Sequence, residues 1–95
     1  MPFRYSLAHS FVTRSIRAHA PAASGVYGIS NRREWLFIGS TENIQAALLE
    51  YSAEGNPMLA GCEPTGFNFE VCGMGECSMR QQRLIQEYHP VCNSR

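Results

Sequence analysis

The residues of this sequence that bind metals most readily are its cysteines and histidines. Cys72 and Cys77 are spaced C-x4-C, and His89 and Cys92 follow them, so a zinc site can be drawn from these residues. Their spacing is wider than that of tight C-x2-C pairs, and the second pair falls at a predicted helix end. We therefore expect no metal site here. Since nothing indicates secretion, we expect these thiols and Cys62 to be free, in the cytoplasm.

Arginine side chains are the residues that contact phosphate most readily, and they occur as local pairs at Arg14/Arg17 and Arg32/Arg33. The net charge is zero, from eight Arg and eight Glu with no Lys or Asp. The strongly basic surface typical of a sequence-independent DNA binder is therefore absent. Arg32 and Arg33 fall in a predicted turn, where solvated charge is the default interpretation and phosphate contact is the alternative.

The length of 95 residues predicts one domain, and a hydrophobic fraction of 44% is enough for a globular core. No apolar run is long enough to span a membrane, so we expect no membrane partner. The first twenty residues lack acidic groups, as transit peptides do, but Pro2 and polar interruptions argue against that role. We assign residues 1–24 to an N-terminal extension packed on the core, and residues 25–95 to the domain itself.

An antiparallel hairpin is predicted from two short apolar runs, residues 26–29 and 35–38, which the polar turn 31–34 joins. Before it, residues 13–19 predict a short helix that stops ahead of Pro21.

Two later helices and a third strand follow the hairpin. Residues at helical spacing predict the first helix, with Ser40 or Thr41 as its cap; they are Ile44, Ala47, Leu48 and Tyr51. Residues 67–71 alternate as a half-buried strand does. Residues 78–81 fit a capping box that begins the last helix, which ends before Pro90. The order β-β-α-β-α predicts an α+β fold, with helices packed on one side of a three-stranded, mainly antiparallel sheet.

Four ordered blocks of this sequence resemble the motifs of the GIY-YIG endonuclease superfamily. They are Gly25-Val26-Tyr27, Phe37-Ile38-Gly39, Asn43-Ile44, and Leu84-Ile85-x-x-Tyr88-x-Pro90-x-x-Asn93. The resemblance covers nearly three quarters of the chain. It implies the fold above, with Gly25, Gly39, Asn43, Pro90 and Asn93 as structural motif positions.

The resemblance also implies a mechanism of phosphodiester hydrolysis. In that family a helix glutamate holds one divalent metal, a first-strand tyrosine acts as base or relay for the attacking water, and a helix arginine steadies the phosphate. These groups neutralise charge in the transition state and remove the proton of the water.

Carried over residue by residue, the family's site is incomplete in this chain. The strand tyrosine matches Tyr27 and a later helix tyrosine matches Tyr51, while the first position of the second motif is Phe37. The arginine position is Ala47, and the metal-binding glutamate position is Gln81. We expect these positions to line one concavity between the sheet and the two later helices. Simpler interpretations are a core role for the tyrosines and a capping-box role for Gln81.

These losses predict a catalytically inactive nuclease-like domain that serves as a nucleic-acid-binding or interaction module. One alternative is an active endonuclease with a rearranged site, and only this one requires Mg²⁺ or Mn²⁺; otherwise we expect no cofactor. The other alternative is a protein–protein module without nucleic acid. The expected partners are therefore DNA or RNA, or a protein.

Overall fold

A computed structural model of the chain describes residues 8–52 and 64–92. Its α+β class is as predicted. The elements are β1 (His9–Ser10), α1 (Thr13–His19), β2 (Gly25–Ser30), β3 (Trp35–Thr41), α2 (Ile44–Ser52), β4 (Gly66–Val71) and α3 (Met74–Tyr88). All strand pairs are antiparallel, in the order β1-β4-β2-β3. No helix in the described ranges is long and apolar enough to cross a membrane.

The sheet has four strands, so the prediction of three was wrong. The extra strand, β1, pairs His9 with Phe67 and Ser10 with Gly66 at the edge of β4. Phe11 continues the contact through its N–H, which donates to the carbonyl of Thr65 at 2.9 Å. A strand of two residues has no periodicity to read in the sequence. Its effect is to cover part of an edge that would otherwise be open.

The β2–β3 hairpin forms as predicted and sets the register of the two motifs. Tyr27 lies opposite Gly39, and Ile29 lies opposite Phe37. Near the turn, Ser30 pairs with Trp35, which leaves Leu36 as an extra residue in a β-bulge. Phe37 faces the tyrosines because it pairs with Ile29, two residues along from the Tyr27–Gly39 pair. The bulge adds Leu36 to the same hydrophobic cluster.

Helices cover both faces of the sheet, which corrects the expectation of helices on one side. Neighbouring residues on β2 point to opposite faces, and Val26 and Tyr27 are both buried. Tyr27 packs in a cluster with Ile44 of α2, whereas Val26 packs with Cys77 and Leu84 of α3. A strand covered on both faces does not alternate between apolar and polar residues. The continuous apolar run of β2 was therefore the sequence signal for helices on both faces.

The starts of α2 and α3 differ from those predicted. Asn43 caps α2, since its Oδ1 accepts the Ala46 N–H at 3.0 Å, while Thr41 Oγ1 accepts the Asn43 N–H at 3.1 Å. Helix α3 begins four residues before the expected Ser78, after Gly73. The capping-box role for Gln81 was therefore wrong, because Gln81 lies well inside the helix. Helix α3 ends at Tyr88, before Pro90, as predicted.

Candidate functional site

Three of the predicted site residues form one aromatic cluster. Tyr27 from β2, Phe37 from β3 and Tyr51 from α2 have ring centroids 5.4 to 6.1 Å apart, in tilted arrangements. The Tyr27 side chain is 4% exposed, whereas Phe37 and Tyr51 are half-buried. The cluster thus presents part of two rings to its surroundings and keeps the third inside.

Gly39 is required for this cluster because Tyr27 lies directly against it. A Cβ built on Gly39 would lie 2.7 Å from the Tyr27 hydroxyl oxygen and 2.9 Å from Cε2 of Phe37. At the other motif, a Cβ on Gly25 would clash with the backbone carbonyl oxygen of Glu70 on β4 and would lie 2.7 Å from Cδ1 of Ile44. Gly39 therefore allows the close approach of side chains, and Gly25 allows that of both backbone and side chain.

The Tyr27 hydroxyl is held in its protonated form. Burial is the main cause that raises its pKa; the neighbouring Tyr51, which hydrogen bonds with it, and the Glu50 carboxylate add to the effect. A phenol with a raised pKa donates a hydrogen bond at neutral pH and is a poor base. Glu50 was not singled out in the sequence, since its only signal was its place next to Tyr51 on the helix.

Ala47 lies on α2 and packs, half-buried, against the same cluster as the tyrosines. Its methyl group offers neither charge nor a hydrogen bond. At this position the site therefore gains packing and has no cation.

Gln81 reaches the site from the other face of the sheet. Its Nε2 donates to the carbonyl oxygen of Ile38 at 3.1 Å, and its Oε1 accepts from the Ser40 hydroxyl at 3.0 Å. These two residues flank Gly39 on β3, at the edge of the sheet. The expectation of one concavity was therefore wrong: Gln81 and Tyr27 lie on opposite faces and converge on Gly39.

Two charged residues of α3, Arg80 and Glu76, interact with groups other than Gln81. Arg80 makes a two-pronged ion pair with Glu70, with nitrogen–oxygen distances of 2.7 and 2.8 Å. Glu76, in the first turn of α3, precedes Gln81 by five residues, about 140° around the helix. Instead, its carboxylate lies near Cys72, whose pKa it helps to raise. Neither residue supplies the missing charge at the Gln81 position.

The remaining predicted residues lie away from the cluster. Arg32 and Arg33 are exposed in the hairpin turn, where Asn31 Oδ1 accepts the backbone N–H of Arg33 at 2.9 Å. The turn is about 16 Å along the strand from Tyr27. Phosphate contact at Arg32 and Arg33 stays a prediction. Pro90 is buried beside the start of β3. Asn93 lies outside the described residues.

The zinc site considered from Cys72, Cys77, His89 and Cys92 is not assembled in the described residues. Cys77 belongs to the α3 cluster and Cys92 to the opposite one. In the described part of the chain, no three histidine, cysteine or acidic side chains come together as metal ligands do. A hard cation such as Mg²⁺ requires anionic oxygens. The neutral Gln81 oxygen, which already accepts from Ser40, does not fit one.

Solved structures of one nuclease domain share this fold. The N-terminal GIY-YIG endonuclease domain of UvrC from Thermotoga maritima, as a tyrosine-to-phenylalanine mutant bound to its catalytic divalent cation, gives a TM-score of 0.69. The identity is 24%, over 84% of this chain and 96% of that one. The fold is that of a GIY-YIG nuclease domain. The magnesium-bound form of the same UvrC domain gives a TM-score of 0.68. No protein-family model and no curated protein matches the sequence.

Likeness at this identity shows the fold and leaves the chemistry to the residues of this chain. The paired glycine motifs lie on β2 and β3, and Tyr27 and Tyr51 pack against each other beside them. Ala47 and Gln81 bring no charge to this part of the structure.

Proposed function

We propose that this GIY-YIG nuclease-like domain is catalytically inactive and holds nucleic acid without cutting it. The observation that carries the proposal is the Gln81 carboxamide, hydrogen-bonded at both ends to β3 where the resemblance places the metal-binding glutamate. Its orientation follows from its partners, because only the nitrogen can donate to the Ile38 carbonyl.

The chemistry of cleavage supports inactivity. Removing one group that stabilises transition-state charge typically lowers the rate by about 10²–10³-fold. Here the arginine and carboxylate positions are both neutral, and the raised pKa of Tyr27 keeps its hydroxyl from acting as a base. Such losses are not additive, but together they remove metal, cation and base.

Nucleic acid is the proposed ligand because of the rings left at the surface of the cluster. Phe37 and Tyr51 are half-buried aromatic side chains on the old catalytic face. Aromatic side chains bind unpaired bases by stacking, at about 1–3 kcal/mol per base. With a net charge of zero, this binding should depend less on salt than that of basic domains.

Two assays on the full chain test the proposal. Fluorescence anisotropy with single-stranded, duplex and branched DNA and RNA measures binding, and gel analysis of the same samples with Mg²⁺ or Mn²⁺ measures cutting. We expect binding, strongest for single strands, without cleavage. Tyr51→Ala should weaken binding, whereas Glu42→Ala, an exposed change before α2, should not. Absence of binding would overturn the nucleic-acid proposal in favour of a protein partner.

An active, rearranged endonuclease is the second candidate, and Glu50 is what favours it. Its carboxylate acts electrostatically on Tyr27, so it is the acid nearest to the tyrosine pair that the structure identifies. Metal-dependent cleavage that disappears in both Tyr27→Phe and Glu50→Gln would support this candidate and contradict inactivity. Glu76→Gln is the matched control, because Glu76 lies near Cys72 instead.

A further inference from the structure

Two cysteine sulfurs lie against each other where β4 passes into α3. The Sγ atoms of Cys72 and Cys77 are 2.9 Å apart, and the Cys77 thiol also donates to the carbonyl oxygen of Cys72 at 3.4 Å. Cys92, the other cysteine in the described ranges, packs in the opposite core cluster. The proximity of Cys72 and Cys77 is thus specific to this pair.

The backbone on both sides of the pair is fixed by hydrogen bonds. The Ser24 hydroxyl donates to the Cys72 carbonyl at 2.8 Å, and the Cys72 N–H donates to the Ser24 carbonyl at 3.2 Å. On the helix, the Cys77 N–H donates to the Gly73 carbonyl at 3.1 Å. Both sulfurs are therefore presented to each other by a rigid strand end and a rigid first helical turn.

We propose that Cys72 and Cys77 form a reversible intramolecular disulfide that links the end of β4 to the first turn of α3. A disulfide bond is about 2.04 Å long, so the sulfurs need to approach by about 0.9 Å. No third metal-ligating side chain joins them within the described residues, which favours a disulfide over a zinc site. This inference does not depend on the proposed function.

A low-molecular-weight disulfide is the proposed oxidant. Cys72 is half-buried while Cys77 is 5% exposed, so the Cys72 thiolate attacks first. It forms a mixed disulfide and releases one small thiolate. The Cys77 thiolate then attacks the Cys72 sulfur and releases the second small thiolate. Two electrons pass from the protein sulfurs to the oxidant, and the two protein protons end on the two released thiols.

The surroundings of the pair set the rate of the first step. Burial, then Cys77 and the carboxylates of Glu70 and Glu76, raise the pKa of Cys72 to about 12. Below that pKa the thiolate fraction, and with it the rate of the first step, rises about tenfold per pH unit.

The test uses the full reduced chain, freed of reductant and incubated with oxidised glutathione. After unfolding and alkylation of the remaining thiols, cleavage on the carboxyl side of glutamates places each cysteine in its own peptide. These peptides are residues 55–70, 71–76, 77–87 and 88–95, because the bond between Glu63 and Pro64 resists cleavage. We expect the intact mass to fall by two hydrogens and the peptides 71–76 and 77–87 to be linked. The rate at which this link forms should rise about tenfold for each unit of pH.

Single-cysteine variants separate the two steps. Cys77→Ser should retain glutathione on Cys72, Cys72→Ser should leave Cys77 unmodified over the same time, and the control Cys92→Ser should behave as the wild type. Cys77→Ala serves as a second variant at the buried position, should serine disturb the fold. The proposal fails if the wild type keeps glutathione on Cys72, or links Cys72 to Cys62 or Cys92.

Discussion

On the face that α1 and α2 cover, Tyr27, Phe37 and Tyr51 pack ring against ring and ring against glycine. On the α3 face, Gln81 and Arg80 are held instead by hydrogen bonds and an ion pair. The aromatic cluster leaves almost no room for an added atom, while the α3 face is held by separate polar contacts. The comparison indicates that packing holds the face under α1 and α2 together, whereas the α3 face depends on polar contacts such as the Arg80–Glu70 ion pair.

The largest effect should come from adding one carbon to the tightly packed face. Gly39→Ala places a Cβ 2.7 Å from the Tyr27 hydroxyl and 2.8 Å from its Cζ. We expect a loss of about 3 kcal/mol in the free energy of unfolding, measured by urea denaturation. Gly75→Ala is the control on α3, because nothing lies within 4 Å of its Cβ; it should be neutral or gain roughly 0.5 kcal/mol. Equal effects at both glycines would contradict the contrast between the faces.

Removing the ion pair tests the polar face. Arg80→Ala leaves the Glu70 carboxylate, whose side chain is 11% exposed, without its two-pronged partner. We expect a loss of about 2 kcal/mol, because charge-assisted hydrogen bonds to partly buried groups exceed those between neutral groups. The exposed Arg83→Ala, three residues along the helix, should change stability by less than about 0.5 kcal/mol. High salt should reduce the difference in stability loss between Arg80→Ala and Arg83→Ala only in part, since buried ion pairs are weakly screened.

The sequence predicted the packed face better than the polar one, for physical reasons. The β2–β3 hairpin shows as two apolar runs around a polar turn, and the α2 face shows as a period of 3.6, each within a few residues. The α3 start was missed because Gly73 suggests a break, while Ser78 with Gln81 imitates a capping box. Nor does any local pattern join Gln81 to Ser40, 41 residues away. Polar contacts between distant segments leave no periodic signal.

Alkaline pH should weaken the tyrosine cluster through Tyr27. Its folded pKa is raised while its unfolded pKa is about 10, so this residue's stabilising contribution is present below pH 10 and is lost above it. By pH 11 we expect a loss of about 1.4 kcal/mol from this residue. Tyr27→Phe should remove that part of the pH dependence, while Tyr88→Phe, at the α3 face, should leave it in place. The free energy of unfolding at pH 7 to 11 checks this, and parallel curves for wild type and Tyr27→Phe would contradict it.

The smallest expected effect is at Gln81, and it bears most directly on the proposed inactivity. Gln81→Glu replaces the amide that donates to the Ile38 carbonyl with a carboxylate oxygen, which only accepts. The Ser40 hydroxyl can still donate to the other oxygen. We therefore expect a loss of about 1 kcal/mol at neutral pH, the value of one hydrogen bond.

Gln82→Glu, an exposed neighbour on the same helix, is the matched control and should change stability by less than about 0.5 kcal/mol. Because Gln81→Glu is tolerable, the pair Gln81→Glu with Ala47→Arg should fold and can be tested for metal affinity. If the carboxylate position is intact in geometry, millimolar Mg²⁺ should raise the melting temperature of the double variant and leave the wild type unchanged. A rise of the same size in the wild type would show that the chain already holds a metal, and the proposal of inactivity would then lose its main support.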